Sequence, residues 1–509
     1  MGVKAQKAAV QGGLSPQGAA EVIRLFIESC KDPVIIEPGD EPISIQPGRY
    51  SLEPHPAGCL LHVWGESGNV VRRVSAIEQQ QRGRLDLRAR TFGKGDITLS
   101  LIDRARRGPD LERGSRATRF REQLRRMLRR QFPDWNIESL TTSPDLEHTL
   151  SPVYTRGLLT AGQQAWAVIG ASAHLDAASY DRLLTFGLIW LDFARRRDTR
   201  RIFRGLKIFL PDSHTQTTAH RMAYLNPAVC QCALYAFSRR GDVKEIDPRD
   251  YGNLTTDLLP CLQPSEPTEP VAAWLGQLRA TPGVETVARP DGLLSVRVRG
   301  LPFALAGRRV MTAGLERQLP VTETSFRRVL RLAQELARFR SADALDTQNP
   351  LFRRHPERWL ESQVRRQFSV IDGNLLASPV YIQVPAVAGA DRGIIDLLAC
   401  DRWGRLALLE LKASEDPHLP LQALDYWIRV RWHLRHESFR RNNYFPGVEI
   451  AKTPPRILLV SPAFDFHPTT ETILRYFSPS IEVERVGVSA EWRRELKVVF
   501  RKAGAGRLA

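Results

Sequence analysis

Four strings recur along this chain in the same order. LRRQF at 128 to 132 returns as VRRQF at 364 to 368, and SPVY at 151 to 154 returns as SPVY at 378 to 381. GLKIFLPD at 205 to 212 is answered by RILLVSPAF at 456 to 464, and TTAHRMAYLNP from 217 by TTETILRYFSP from 469. One such match is weak, but four in one order at similar spacing imply two copies of a single domain. Whatever architecture the chain adopts, it must use it twice.

The copies fit within 111–245 and 346–509, too little to account for 509 residues, which exceed what one core can hold. Residues 1–30 read as an N-terminal tail. At 31–110, short alternating runs such as CLLHVWG and GRLDLRART between Gly and Pro predict a small all-β domain, sandwich-like or barrel-like. The Gly-Lys of FGKGD at 92 to 96 lacks the rest of a phosphate loop and reads as a turn. QPSEPTEP at 263 to 270 is a linker by composition, and 246–345 is read as that linker plus a small α/β domain. In SFRRVLRLAQELARFR, Phe326, Val329, Leu330, Ala333 and Leu336 form one apolar stripe, leaving most of its arginines on a solvated face. The class is therefore multidomain α/β (α+β).

Net charge is +17 and Arg dominates the basic residues, which favours a nucleic-acid partner. The six cysteines show neither zinc nor redox spacing, and the longest apolar run is too short for a bilayer. A cytoplasmic protein, nucleoid-associated in one version of this reading, with no membrane partner is the expectation.

Chemistry is written in the downstream copy only. GIIDLLACD and RLALLELKA form a hairpin around RWGR, with Gly404 supplying the positive φ of a short loop. If Asp401 pairs with Arg405, Asp396 comes opposite Glu410. Two opposed carboxylates in an apolar strand pair destabilise it unless their charge is neutralised. Lys412, on the face of Glu410, supplies one positive charge, as a catalytic group or as a plain ion-pair partner. A divalent cation would supply the rest. With oxygen ligands and no His or Cys nearby, that cation is Mg²⁺ or Mn²⁺, held by Asp396, Glu410 and the Leu411 carbonyl.

Neighbouring helices extend the constellation. LQALDYWIRVRWHL puts Gln422 and Tyr426 on one face at i and i+4. RWLESQVRRQF carries Glu361, or Glu357 one turn earlier, as a further acidic group, with Arg365 and Arg366 beside it. Those arginines and Arg429, in the Arg- and aromatic-rich run RVRWHLRHESFRR, are candidate nucleic-acid contacts. His355, His418, His433 and His436 show no ligand spacing.

Asp396, a thirteen-residue gap and then Glu410-Leu411-Lys412 resemble the PD-(D/E)XK nuclease motif, and Gln422 with Tyr426 resembles the QxxxY extension of its RecB-like and NucS-like branch. The resemblance covers about 350 to 485, with Ile395 in place of the nominal Pro. It implies a restriction-endonuclease-like αβββαβ core, Mg²⁺ chemistry, and a metal-supporting role for Glu361. The implied function is a metal-dependent endonuclease acting on single-stranded, branched or flapped DNA, in repair or defence, alone or as a homodimer. The alternatives are an inactive nucleic-acid-binding scaffold of the same fold, or an RNase.

The upstream copy lacks the pattern. Arg125 stands at the place of Glu361, AWAVIGAS at that of LALLELKAS, and no QxxxY occurs near Trp190. The shorter connection predicts that the Asp-bearing strand is missing there altogether. This copy is expected to be a degenerate, non-cleaving relative that serves as a platform or a DNA-holding half.

Overall fold

The computed structural model describes residues 15–504 apart from 38–42, 56–57, 66–67, 92–93, 146, 239, 250–253, 255 and 389–390. The start of the tail and part of FGKGD therefore lie outside the described residues. The chain is a mixed α/β multidomain protein that divides into two compact units, residues 1–144 with 151–156 and residues 145–150 with 157–509. Among the described residues no helix is long and apolar enough to cross a membrane.

In the first unit, seven strands form one antiparallel sheet: Ile43–Ser44, Pro33–Ile36, Lys94–Asp103, Arg84–Thr91, Gly68–Gln81, Gly58–Gly65 and Tyr50–His55, in that spatial order. Within 33–103 every element is a strand, but they make one open sheet rather than a sandwich or barrel, and the expected tail is not all tail. Pro16–Ser29 is a helix, with Pro in its first turn and the Ser15 side chain accepting from the Gly18 N–H. Its Ile23, Phe26 and Ile27 pack with Leu61, Leu85, Leu99 and Leu101 of the sheet. A single sheet with one apolar face needs such a cover, and this helix provides it.

The second unit holds the duplication. Downstream, the helix Pro356–Arg366 is followed by strands Tyr381–Ala388, Asp391–Cys400 and Leu406–Leu411, the helix Leu419–Arg435, and strand Arg456–Pro462. After the short helix Thr469–Leu474 come strands Val483–Val488 and Val498–Ala503. Leu406–Leu411, Arg456–Pro462 and Val483–Val488 run parallel, and the last strand returns antiparallel. Upstream, Gln164–Gly170, the helix Ala177–Arg197, Ile202–Pro211, the short helix Gln216–Met222, Gln231–Phe237 and Val243–Ile246 repeat that order and those directions. The expected missing strand is present: Thr155–Ala161 neighbours Gln164–Gly170, where Asp391–Cys400 neighbours Leu406–Leu411. The upstream copy has this strand, with no acidic side chain in it.

The copies meet about a pseudo-twofold axis. Leu225 and Phe477 form an antiparallel bridge; Asn226 N–H donates to the Tyr476 carbonyl and Ser478 N–H to the Tyr224 carbonyl, each at 2.8 Å. Arg195 lies over the Tyr476 ring and Arg431 over the Tyr224 ring. The repeated TT…Y motifs are thus the docking segments themselves.

Between the copies in sequence lies a five-stranded antiparallel sheet, Val284–Ala288 to Leu319–Pro320, with helices Val271–Arg279 and Glu323–Phe339. Phe326, Val329, Ala333 and Leu336 are buried as the stripe requires, and Arg327, Arg328, Arg331 and Arg338 are exposed. This domain is anchored to the downstream copy. The two-residue loop Arg299–Gly300 has positive φ at both positions, the hairpin turn that matches strand twist. A Cβ on Gly300 would fall 1.7 Å from the Arg358 carbonyl oxygen on the helix Pro356–Arg366. Gly300→Ala should therefore cost about 2 kcal/mol or more, since neither the backbone angle nor the approach tolerates it. Urea denaturation that finds it neutral would contradict this close docking.

Candidate active site

The hairpin that carries the acidic residues closes as Asp401 N–H donates to the Arg405 carbonyl at 2.9 Å, with Gly404 at φ +83°. Asp401 Oδ1 caps the loop by accepting from the N–H groups of Trp403 and Arg405. Register then runs from Cys400 opposite Leu406 to Leu397 opposite Leu409. One further step brings Asp396 and Glu410 to the same level. There the ladder stops, and Asp396 Oδ2 instead accepts from the Leu411 N–H at 2.9 Å.

Glu410 sits in the middle of a sheet. All of Leu406–Leu411 is buried, and Glu410 pairs with Leu459 of the next parallel strand. Its carboxylate is 1% exposed, and Oε2 has no hydrogen-bond partner. Lys412 Nζ stands 3.9 Å from Oε1 and 3.6 Å from Asp416 Oδ2, too far for a tight pair with Glu410. Burial, then the Asp396 charge, pushes the Glu410 carboxyl well above its usual range, with Lys412 opposing. Asp396 is raised from 3.8 to about 7 chiefly by burial, against the Leu411 N–H and with Glu361 adding to the rise.

Those raised carboxyls fix the sign of a pH dependence. Asp396 binds its proton more tightly folded than unfolded. Its contribution to stability is full below pH 3.8 and is lost progressively as pH rises to about 7. The metal-free protein should lose on the order of 3 kcal/mol through this group over that window. Urea denaturation of wild type and Asp396→Asn at pH 5 and 8 isolates it, and parallel curves for the two would refute the assignment.

Gln422 Nε2 donates to the Tyr426 hydroxyl at 3.2 Å. Burial raises the Tyr426 pKa, and the Glu410 charge adds to it, so this pair belongs to the same electrostatic environment. Glu361 is brought near Asp396 but is already engaged: its Oε1 accepts from Arg297 Nη1 at 2.8 Å, with both side chains buried. Glu357 also bears on Asp396. Of the three arginines expected at nucleic acid, Arg366 is exposed and Arg365 half-buried. Arg365 and Arg366 both face Glu285 of the intervening domain, Arg366 at 3.8 Å, and Arg429 is buried. His418 and His433 are buried against Thr185 and Thr256 rather than gathered at the carboxylates.

Among the described residues no three His, Cys, Asp or Glu side chains stand together as a complete metal cage. Two carboxylates nevertheless suit Mg²⁺ or Mn²⁺, which keep several waters and take few protein ligands. The unsatisfied buried Oε2 of Glu410 is the kind of atom such an ion would satisfy.

Register places the upstream equivalents. Glu410 pairs with Leu459 and Ile169 with Ile208, each partner three residues before the closing Pro462 or Pro211. Lys412 N–H donates to the Val460 carbonyl and Ala171 N–H to that of Phe209. Ile169 and Ala171 thus replace Glu410 and Lys412. Counting from the symmetry-related Arg195 and Arg431, Phe186 and Trp190 replace Gln422 and Tyr426. Arg297 and Asp416 join the site only in the structure. Asp416 four residues after Lys412 was a findable signal; Arg297 was not. No protein-family model matches the chain, and a search of curated proteins returns no match.

Proposed function

We propose that the chain is a Mg²⁺- or Mn²⁺-dependent nuclease with one active site, in the downstream copy. The observation that carries this is the buried, unpartnered Glu410 Oε2 beside a second, partly buried carboxylate whose proton affinity is raised. Such an arrangement costs stability and has no packing purpose. The order helix, three strands, helix, strand supports the finer reading of a restriction-endonuclease-like core, and the Gln422–Tyr426 bond supports the RecB-like comparison.

Asp396 and Glu410, with the Leu411 carbonyl, would hold the cation. When bound, it supplies polarisation of a phosphate oxygen and a water acidic enough to attack at neutral pH. Lys412, partly exposed and loosely held between Glu410 and Asp416, is free to donate to charge building on phosphate oxygens. Tyr426, held by Gln422, would stand on the helix side of the site within the electrostatic reach of Glu410. Nucleic acid fits the +17 charge. One site per chain cuts one strand, so single-stranded, flapped or nicked DNA is the expected substrate.

Calorimetry should show Mn²⁺ binding to wild type that is lost in Asp396→Asn, together with Mn²⁺-dependent cutting of at least one labelled DNA form. DNA binding with steep salt dependence but no metal binding or cleavage would instead identify an inactive scaffold. Cutting of RNA alone would make it an RNase.

A further inference from the structure

The pseudo-twofold contact is symmetric in its backbone but not in its charges. Four residues before Leu225 stands Arg221, and four before Phe477 stands Ile473. Arg221 is almost fully buried and grips Asp425 with a fork, Nε to Oδ1 at 2.8 Å and Nη2 to Oδ2 at 2.5 Å, while Nη1 donates to the Asp181 carbonyl. Asp425 lies six residues before Arg431; six before Arg195 stands Ile189. One half of the interface therefore uses an ion pair where the other half has two isoleucines. The ion pair falls on the helix Leu419–Arg435, at the residue next to Tyr426. The upstream copy touches that segment a second time where Thr185 Oγ1 meets His418 Nδ1 at 2.7 Å. Positions 418 and 425 are two turns apart on one side and bracket Gln422.

We propose that the upstream copy is the built-in partner of the catalytic copy, and that Arg221 is a positioning residue which, through Asp425, sets the helix carrying Gln422 and Tyr426 against Glu410. This rests on the nuclease reading for its purpose, but not for its geometry. Loss of the upstream active-site residues left this role intact, because the docking segment and the former active strand are separate elements. The asymmetry also selects the partner. A second catalytic copy docked in place of the first would set Ile473 against Asp425, leaving a mostly buried carboxylate against a hydrocarbon side chain. A bidentate arginine is the side chain that answers that carboxylate.

A double-mutant cycle on the full, metal-free chain tests this. Arg221→Gln and Asp425→Asn are made singly and together, reading the Tyr426 ring resonance in ¹³C-tyrosine-labelled protein and amide exchange at Asn226 and Ser478. Each single change should move the Tyr426 resonance and speed exchange at both amides at least about tenfold, and the double should do no more than either. An unmoved Tyr426 resonance, or shifts that simply add, would overturn the proposal. If Arg221→Gln fails to fold, Asp425→Asn alone gives both readouts and must move both. Absence of Mn²⁺ binding by wild type would count against the nuclease reading and leave this result standing.

Discussion

Glu410→Gln should reduce cleavage about 1000-fold or more while making the metal-free protein more stable. The amide keeps the shape of the side chain in the Leu406–Leu411 strand but carries no charge, so it removes both the cost of an ionised group in a sheet centre and its repulsion with Asp396. A gain of about 1 to 3 kcal/mol in urea denaturation at pH 8 with chelator is expected. Glu410→Ala should lose activity equally but destabilise, because it leaves a void where neighbouring strands are close-packed. The opposite signs separate a site held under strain for function from an ordinary core position. If Glu410→Gln retains activity, or destabilises as Ala does, the carboxylate is structural and the nuclease proposal falls.

How much of this was legible in the sequence follows the range of the interactions. The Asp401–Arg405 closure, the positive φ of Gly404 and the Gln422–Tyr426 bond connect residues at most four apart, and alternation and helical period suffice to read them. The duplication was legible because strings repeat, and its docking segments are among the repeated strings. The strand Thr155–Ala161 was missed because its charged signature had gone; a strand is defined by backbone pairing, and TRGLLTA still pairs without a carboxylate. The helix Pro16–Ser29 was hidden by being read together with the residues before it, although Ser15-Pro16 is a helix start signal. Composition marks Arg429 as a surface cation, and only the packing of its helix shows it buried.

The pairings that no local pattern carries are those between domains. Arg221 and Asp425 are 204 residues apart, and Arg297 and Glu361 are 64 apart. An arginine in VRVRG gives no sign of which carboxylate it will meet. That is why the intervening domain had no role in the sequence reading, yet it delivers a cation to the acidic side of the site.

Arg297→Met should accordingly destabilise the protein by about 3 to 5 kcal/mol, more than any surface ion pair here could. Arg297 and Glu361 are each about 97% buried, and Arg297 Nε is held by Ser295 Oγ at 3.0 Å, so the guanidinium is fixed before it meets the carboxylate. Removing it takes the counter-charge from an acid in a medium that screens poorly. Replacing both partners, as Arg297→Met with Glu361→Leu, should recover most of the loss, because an apolar pair of similar volume avoids the desolvation cost. The double change should reach the active site as well. Glu361 adds to the rise in the Asp396 carboxyl, and Leu at 361 removes that contribution. An NMR titration of Asp396 in the metal-free double variant should therefore move downward. Denaturation midpoints that shift by less than about 1 kcal/mol for Arg297→Met, or an Asp396 titration unmoved in the double variant, would show that the intervening domain merely rests on the helix and does not balance the charge of the site.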